Sequence, residues 1–554
     1  MEHLIKASRI RQRRRYLIQV IILGIVLISL LLAGLYYLFT NNSEFKPSAS
    51  KNAKPIINIC YSELLPTDLK EAITSAGYAN YKSENQIKFN TSGSCTVEIA
   101  RNPANTNEYK EVTSRIYVAI ARFDLLIEDL TKEDLANALQ IQSYNQYSII
   151  WEASETNSFI KSRFNTTLGQ QYTDIAAVLS AIKSNSKAIA IIPFEYLTPA
   201  VKTLSIDEET PLHPESMTSA YPLTDTIWIK GTNSKLVKEL TLILQNSTFQ
   251  PNYDKTALQT VLLSGQSWIG AGGYIAKNAS QKDIYYPYRG LEALFNSATI
   301  SHLSNGTSFS SECAQTTTSQ VKCGTLDNIE VLKYLSPDLI GLTNDHLLDY
   351  SRPLFESTVK AFQTNSLKYY GAGLNQADAN KVITLPIGEK KLGFVGYTLT
   401  LPYKYLAGKN YSGHAGSTSE QLAGLIKADA KNNDFLIVEL QAGEVNSVKH
   451  NAEQASIAEK ALQNDGNIVL FTRSTRPQGI QIDSNKVTFY SLGSIFTGVP
   501  DTEGLLVKNY FYKGEYLGFE LLPVYTDVSL QTVLAEGNRK AKILQTVYSD
   551  SLIK

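Results

Sequence analysis

The stretch that decides the fold is residues 339–398, LIGLTNDHLLDYSRPLFESTVKAFQTNSLKYYGAGLNQADANKVITLPIGEKKLGFVGYT. It begins with the apolar run 339–342 and ends with the apolar run 391–397, with loop and helix patterns between them. The same order recurs around the runs 260–263, 435–440, 467–471 and 486–490. Because most of these runs are apolar on both faces, they predict strands buried in a helix-covered or two-sheet α/β sandwich.

Several phrases in this region resemble the CapA family, the capsule and poly-gamma-glutamate synthesis proteins built on a calcineurin-like metallophosphoesterase fold. Where that family has Asn-Asn-His-x-x-Asp-Tyr-Gly, this chain has Asn344, Asp345, His346, Asp349, Tyr350 and Ser351. The phrases GAGLN at 371–375 and YSLGSIF at 490–496 also match family motifs. The resemblance implies a metallophosphoesterase-like α/β sandwich over residues 255–525, followed by a C-terminal tail at 526–554.

The same resemblance implies a pair of divalent cations, but this chain departs from the family where their ligands would stand. The family's first metal-binding carboxylate is Gln266 here, and its His-Trp-Gly-x-Glu motif reads QAGE, ending at Glu444. All three histidines of its Gly-His-His-Pro-His motif are replaced within residues 471–475, which include Arg473. We therefore expect the divalent metals to be lost and no other cofactor to be bound.

The polar side chains that remain define a candidate pocket remnant, consisting of Gln266, Asp345, His346, Asp349, Glu444 and Arg473. His346 is either a general acid or a retained pocket residue hydrogen-bonded to a carboxylate such as Asp345 or Asp349, and we favour the second interpretation. Glu444 is expected to be a solvated loop residue or a partner of Arg473. His414, in the glycine-rich loop YSGHAGS, is expected at the surface.

Strand and helix patterns also alternate in residues 55–250. The apolar runs 56–60, 116–120 and 188–192 predict strands, and 233–244 predicts an amphipathic helix. Thr131 with Asp134 is a variant of the capping box that predicts a helix starting near Lys132. The alternation indicates an α/β domain with a mostly parallel sheet.

The order of elements and the phrases at 115–139, 188–207 and 220–231 resemble the phosphate-type periplasmic substrate-binding proteins, which implies a two-lobed fold. That family binds oxyanions with hydroxyl groups and with backbone N–H groups at helix N-termini. The matching loop here is the short NTSGSC at 90–95. Thr91, Ser92 and Ser94 either cradle an anion or form an ordinary turn tethered by Cys95, and we favour the turn.

The N-terminus carries a membrane signal. Residues 17–39 are uncharged and long enough to cross a bilayer in a helix, and six Lys or Arg precede them within the first 15 residues. This pattern predicts a single uncleaved signal-anchor in the cell membrane, with the basic tail 1–16 in the cytoplasm. A polar linker at 40–54 would then lead to an extracytoplasmic bulk of the chain.

The cysteines and the charge balance bear on the compartment and on the class of partner. An extracytoplasmic location permits disulfides, and the simplest of three possible pairings joins Cys60 to Cys95 and Cys313 to Cys323. The chain has 52 basic and 52 acidic residues and no basic stripe beyond the N-terminus, which argues against a nucleic-acid partner.

Three functions remain open. The first is a non-catalytic CapA-like protein that binds an anionic envelope polymer during capsule or poly-gamma-glutamate biosynthesis. The second is a hydrolase of an envelope polymer or phosphoester with a non-standard site built on Asp345, His346, Glu444 and Arg473. The third is a receptor for a small anion, with its site in residues 55–250.

Overall fold

The structure is a computed structural model that describes residues 54–82, 84–166, 170–218, 220–270, 283–313 and 323–554. Among these residues, none of the helices has the length and apolar character required to span a bilayer. The predicted cytoplasmic tail, the signal-anchor at 17–39 and nearly all of the linker lie outside the described residues. Ile57–Tyr78 and Ile87–Lys554 form one compact unit, whereas residues 54–56 and Ala79–Gln86 belong to another.

The first half of the chain combines one large sheet with helices. Its strands are β1 Ile56–Tyr61, β2 Gln86–Asn90, β3 Val97–Arg101, β4 Lys110–Arg122, β5 Asp129–Leu130, β6 Ser143–Tyr144, β7 Tyr147–Glu152, β8 Gln170–Tyr172, β9 Ala188–Pro193, β10 Val201–Ile206 and β11 Thr224–Gly231. Its helices are α1 Thr67–Ser75, α2 Ala79–Lys82, α3 Lys132–Ile141, α4 Glu155–Phe164, α5 Ile175–Ser184 and α6 Ser234–Gln245. The predicted strands and the helix near Lys132 are therefore present.

Strand direction in this sheet differs from the sequence prediction. The order runs β1-β3-β11-β4-β9-β7-β6, and the central strand β4 is antiparallel to both β11 and β9. β1 pairs in parallel with β3, β5 with β10, and β7 with β8 and β9. The prediction of a mostly parallel sheet is wrong here, because the 13-residue strand β4 pairs antiparallel with the neighbouring strand on each side.

The second half contains two further large sheets. Its strands are β12 Leu258–Ser264, β13 Gln266–Ser267, β14 Ile300–Asn305, β15 Ser308–Phe309, β16 Cys323–Gly324, β17 Leu339–Gly341, β18 Tyr369–Tyr370, β19 Ala372–Gly373, β20 Ile383–Ile387, β21 Lys390–Thr398, β22 Gly413–His414, β23 Phe435–Gln441, β24 Ile468–Thr472, β25 Ile480–Asp483, β26 Lys486–Phe489, β27 Ser494–Ile495, β28 Glu503–Tyr512, β29 Glu515–Thr526, β30 Thr532–Leu534 and β31 Leu552–Ile553. Its helices are α7 Arg289–Ser297, α8 Ile329–Leu335, α9 Arg352–Thr364, α10 Gln376–Ala379, α11 Ser419–Ala430, α12 Ala452–Gln463 and α13 Gly537–Tyr548.

These two sheets pack face to face with helices outside. One sheet has the order β18-β17-β14-β12-β28-β29-β30 and the other β20-β21-β23-β24-β26-β25-β31. A shared core joins Val261 and Leu339 of the first sheet to Phe394 and Ile437 of the second. Separate apolar clusters bury α7, α8 and α9 on one outer face, and α11 and α12 on the other. The structure is thus the two-sheet α/β sandwich that the apolar runs predict.

The residues after 526 pack onto this sandwich. β30 pairs with β29, and β31 adds in parallel to the sheet edge at β25. Asp550 Oδ2 accepts hydrogen bonds from the backbone N–H groups of His450 (2.9 Å) and Gly479 (3.1 Å) and lies 2.9 Å from His450 Nδ1. The tail is an integral part of the second half.

Both predicted disulfides are present, and the halves of the chain share their cores. Cys60 is joined to Cys95 and Cys313 to Cys323. Tyr510, Tyr512 and Leu517, from β28 and β29, are buried in the core of the first half. The two halves therefore pack directly against each other.

Candidate functional site

The candidate site lies where parallel strands of both sheets end. Gln266 of β13 pairs with Ser304 of β14 and with Ser494 of β27, both in parallel. In the facing sheet, Gln441 at the end of β23 lies opposite Thr472 at the end of β24. The carboxyl ends of parallel strands are a common place for ligand sites, because side chains from several loops converge there.

Gln266 forms a neutral amide pair with Asn344. Both side chains are buried, and Asn344 Nδ2 donates to Gln266 Oε1 at 2.8 Å. Gln266 Nε2 lies 3.5 Å from the backbone carbonyl of Ser474, and Asn344 Oδ1 accepts from the backbone N–H of His346 at 3.0 Å. The sequence identified Gln266 as a pocket residue but not Asn344, although Asn344 belongs to the same motif as His346.

Gln441 stands at the position of a family histidine and is completely buried. Its Oε1 accepts hydrogen bonds from Thr398 Oγ1 at 2.8 Å and Thr400 Oγ1 at 2.5 Å. These two donors fix the orientation of the amide. Within the described residues its Nε2 is buried without a hydrogen-bond partner, so a donor is left for another group.

The segment that replaces the family's histidines carries hydroxyl groups and one guanidinium. Thr472 Oγ1 lies 3.3 Å from Thr343 Oγ1, which connects the two sheets, and Ser474 Oγ donates to the carbonyl of Ser447 at 2.6 Å. Arg473 is partly buried, and its Nε has no hydrogen-bond partner among the residues that the structure describes. A fixed positive charge therefore stands at the end of β24.

His346 lies between two carboxylates beside an indole ring. Its Nδ1 is 2.6 Å from Asp349 Oδ2, and its Nε2 is 3.8 Å from Asp345 Oδ1. The Trp268 ring meets the imidazole edge-on, with 5.1 Å between centroids. The contact with Asp349 agrees with the interpretation of His346 as a pocket residue hydrogen-bonded to a carboxylate.

Two of the polar residues that the sequence singled out lie differently from this group. Glu444 is exposed in the loop after β23, its Oε1 lies 3.5 Å from Asn451 Nδ2, and the described residues show no ion pair between it and Arg473. The prediction of a surface position for His414 is wrong, because the loop folds inward and the ring packs against Phe355. Burial lowers the pKa of His414 to about 4, although its Nδ1 lies 3.2 Å from the carbonyl of Leu342.

A buried polar cluster around Glu439 lies between the sheets and was not predicted from the sequence. Glu439 accepts from Ser304 Oγ at 2.6 Å and from Tyr370 OH at 2.7 Å, and His302 Nε2 lies 3.6 Å away. Burial alone would raise the pKa of Glu439, but the contact with His302 and the hydroxyl hydrogen bonds outweigh burial and lower it. A carboxylate within the apolar run FLIVELQ was the available signal, because a buried charge requires partners.

The weak anion-site candidates of the first half lie in the turn between β2 and β3. Thr91, Ser92 and Ser94 are exposed, and the backbone carbonyl of Ser94 accepts from Asn58 Nδ2 at 3.0 Å. The Cys60–Cys95 disulfide tethers the same turn. These three residues are not among those lining the large cleft of the first half.

That cleft has a volume of about 750 Å³ and is bordered by the start of α4. The carboxylate of Glu152 accepts from the backbone N–H groups of Ser154 (2.6 Å) and Thr156 (3.1 Å) at this helix N-terminus. Arg101, also at the cleft, forms a fully buried ion pair with Asp225 at 2.6 Å. The N-terminus of α4 and the Arg101 guanidinium are thus already engaged by carboxylates of the chain.

The residues at the strand ends do not fit a two-cation centre. Amide and hydroxyl groups occupy the positions where the family resemblance implies carboxylates and imidazoles, and several of them hydrogen-bond to one another. Within the described parts of the chain, no three His, Cys, Asp or Glu side chains lie together in a way that could hold a metal ion. Gln441 and Arg473 each keep one buried nitrogen donor without a partner among the described residues.

Comparisons with known proteins give a capsule-related similarity for the second half. Residues 260–498 match the family "Bacterial capsule synthesis protein PGA_cap". The capsule biosynthesis protein CapA of Bacillus anthracis is 24% identical over 172 residues, covering 30% of this chain and 42% of that protein. The PGA biosynthesis protein CapA of Bacillus subtilis is 23% identical over 230 residues, covering 41% of this chain and 60% of that protein. The chain thus matches less than two thirds of either relative's length.

Solved structures match at low identity. An ABC-type phosphate transport receptor from Vibrio cholerae is 12% identical, with a TM-score of 0.26 over 34% of this chain and 93% of the receptor. The NAD nucleotidase NadN of Haemophilus influenzae is 10% identical, with a TM-score of 0.30 over 54% of this chain and 57% of that protein.

Proposed function

We propose that this chain is a CapA-like protein of capsule or cell-envelope polymer biosynthesis that binds an anionic polymer of the poly-gamma-glutamate type without hydrolysing it. In this proposal residues 17–39 anchor it in the cell membrane, and the bulk of the chain lies outside the cytoplasm. The similarity of residues 260–498 to capsule synthesis proteins supports the biological setting. The chemistry of the strand ends supports binding over metal-dependent hydrolysis.

The observation that carries the proposal is the hydrogen-bonded pair of Gln266 and Asn344. The pair offers no carboxylate to a divalent cation, and the Gln266 amide oxygen already accepts a hydrogen bond from Asn344 Nδ2. Arg473, at the end of the adjacent sheet, would also repel cations. In this proposal, neutral hydrogen-bonding groups and one positive charge take the place of a two-cation hydrolytic centre.

Two other residues at the strand ends are suited to bind a carboxylate. Gln441 and Arg473 lie at the ends of neighbouring parallel strands, and each has a donor with no partner in the described residues. A guanidinium binds carboxylates through charge-assisted hydrogen bonds, which are about twice as strong as neutral ones. A polymer with one carboxylate per residue offers such groups repeatedly.

The test is to measure binding of fluorescent poly-γ-glutamate to the full chain and to its Arg473→Gln variant. We expect Arg473→Gln to weaken binding by about tenfold or more, because a charge-assisted contact is lost. Arg476→Gln is the matched control, because Arg476 is exposed and pairs with Glu503 at 3.4 Å. Equal affinities for all three proteins would contradict the assignment of Arg473.

Metal analysis of the same preparation tests the other half of the proposal. We expect far less than one equivalent of Mn, Fe or Zn per chain after purification without chelators. About two tightly bound equivalents, together with cleavage of phosphoesters or of polyglutamate, would overturn the non-catalytic interpretation.

A hydrolase with a non-standard site is the second candidate, and the 2.6 Å contact of His346 with Asp349 favours it. A carboxylate at Nδ1 orients an imidazole for proton transfer at Nε2, and Asp345, with its Oδ1 3.8 Å from that nitrogen, is the nearby acid in this proposal. If the chain cleaves the polymer, His346→Ala should abolish turnover, and Asp349→Asn should reduce it and shift its pH profile. Unchanged turnover in His346→Ala would remove this candidate.

A further inference from the structure

A cavity of about 230 Å³ lies between the two halves of the chain, away from the candidate site. Strand β10 forms one wall, β29 forms another, and Tyr548 at the end of α13 borders it. Most of its surface is apolar, with contributions from Leu197, Val201, Leu212, Leu517, Phe519 and Leu521. Apolar enclosure of this kind is typical of small-molecule sites, which usually add a few placed polar groups.

Lys202 supplies such a polar group. Its Nζ donates a hydrogen bond to the carbonyl of Leu125, and no carboxylate lies within ion-pair distance of it in the described chain. Burial lowers the pKa of Lys202 to about 8, and this effect outweighs the more distant carboxylates of Glu128, Asp124 and Glu520. An ammonium group in an apolar wall favours an anion beside it.

The acidic groups at the cavity are already compensated. Glu128 forms an ion pair with Lys540 at 2.6 Å. Glu520 Oε2 accepts from Tyr510 OH at 2.7 Å and lies 2.9 Å from His213 Nε2. Glu208 is exposed at the rim, where water screens its charge. Among the described residues that line the cavity, Lys202 is therefore the buried charge without a carboxylate in direct contact.

We propose that this cavity binds a small amphiphilic carboxylate, with its carboxylate group against Lys202 Nζ and its apolar body between Leu212 and Leu517. The size agrees, because an apolar cavity of about 150 Å³ holds a benzene ring. The remaining space accommodates a short chain that ends in a carboxylate. Nothing in the proposal depends on the polymer-binding site.

The ligand would contact both halves at once. Leu212 and Lys202 belong to the first half, whereas Leu517 and Phe519 belong to β29 of the second half. A molecule held between them binds only while the halves are packed, so it should stabilise their junction. We therefore expect ligand binding to raise the melting temperature of the whole chain.

The test uses 3-phenylpropionate as the probe, with 3-phenylpropylamine and inorganic phosphate as comparison ligands. Calorimetric titration of the full chain in lipid nanodiscs, with empty nanodiscs as reference, should give a dissociation constant in roughly the millimolar range for the carboxylate. The amine should bind at least about tenfold more weakly, and phosphate should not bind, because it lacks the apolar body. Equal or tighter binding of the amine would overturn the proposal.

Two variants locate the site. Lys202→Met should weaken 3-phenylpropionate binding by about tenfold, whereas Lys238→Met, at an exposed position of α6, should not change it. Leu212→Trp keeps the charge but fills the space, and it should also abolish binding. If either Leu212→Trp or Lys202→Met binds 3-phenylpropionate as well as the unmodified chain does, the carboxylate binds elsewhere.

The pH dependence gives a readout that a purely structural role of Lys202 would not change. Asp124, Glu128 and Glu520 favour its protonated form, and Lys540 opposes it. Binding to the unmodified chain should weaken between pH 7 and 9 as Lys202 loses its proton, and the residual binding to Lys202→Met should stay constant. Binding that does not change over this range would contradict the carboxylate–ammonium contact.

Discussion

At the scale of single residues, the buried carboxylate of Glu439 places the strictest demand on its neighbours. Gly341, on the facing sheet, has no side chain, and a Cβ atom there would overlap Glu439 Oε2 and crowd His302 Nε2. The cluster therefore depends on a glycine at this position. The backbone conformation does not itself require a glycine here, because the φ angle of Gly341 is not positive.

Gly341→Ala should lower the free energy of unfolding by about 3 kcal/mol or more, because the new methyl group displaces a buried, hydrogen-bonded carboxylate. Urea unfolding followed by circular dichroism measures the change. Gly424→Ala is the matched control, since Gly424 lies inside α11 with open space around it. The control should be neutral or more stable by up to about 1 kcal/mol. Equal effects of the two substitutions would contradict this account.

His414 should make the protein lose stability in mild acid. Its folded pKa of about 4 lies below the unfolded value of about 6.5, so the unfolded chain takes up the proton first. The contribution of neutral His414 is complete above pH 6.5 and is lost as the pH falls to 4, to an extent of about 3 kcal/mol. Melting temperatures of the unmodified chain and of His414→Phe across this range provide the measurement. Parallel curves would refute the prediction.

These residues also mark how far the sequence could reach at this scale. The resemblance to family motifs assigned Gln266, His346 and Asp349 to one pocket remnant, because those motifs follow strands that end at the same edge of the fold. The burial of His414 could not be predicted, because a glycine-rich loop of a given sequence can fold toward the core or toward solvent. Glu439 was missed because its partners lie on the facing sheet, and Asn344 because its partner Gln266 lies on a strand far away in sequence. No local pattern encodes either contact.

At the scale of elements, apolar runs and caps predicted where strands and helices lie. The capping box of α3 is present, with Asp134 N–H donating to Thr131 Oγ1 at 2.9 Å and the Asp134 carboxylate 3.4 Å from Thr131 N. The direction of the strands was not predicted equally well. Hydrophobic periodicity indicates which face of a strand is buried but not the direction of the neighbouring strand. The antiparallel pairing of β4 could therefore not be predicted from it.

Thr131→Ala should lower the free energy of unfolding by about 1 kcal/mol, because the N-cap hydroxyl acceptor at the start of α3 is lost. Thr131→Ser retains the hydroxyl and should cost no more than a few tenths of a kcal/mol. Urea unfolding of the three proteins gives the comparison. A serine variant as unstable as the alanine variant would show that the methyl group, and not the cap, is responsible.

At the scale of the whole molecule, the two halves are joined by aromatic side chains from β28. Tyr512 is packed against Phe194 and Tyr253, with ring centroids 5.2 and 6.3 Å away, and its hydroxyl accepts from the backbone N–H of Asp254 at 2.8 Å. Sequence analysis drew a domain boundary at 250–255 without predicting this contact. Long-range packing of this kind leaves no local pattern.

The shared core should make the described body unfold in one calorimetric transition. Tyr512→Ala should remove about 3 kcal/mol or more and separate the halves into two transitions. Tyr403→Ala, at a highly exposed tyrosine, should leave the curve unchanged. Two transitions already present in the unmodified chain would contradict coupling through Tyr512.

The position of β31 has a practical consequence. This short strand occupies the outer side of β25, so the backbone groups of β25 are not presented to solvent as an open template. Exposed strand edges recruit further chains and start aggregation. A deletion that begins after Tyr548 would free this edge, and preparations of such a shortened protein should precipitate on storage at concentrations where the longer chain stays dispersed.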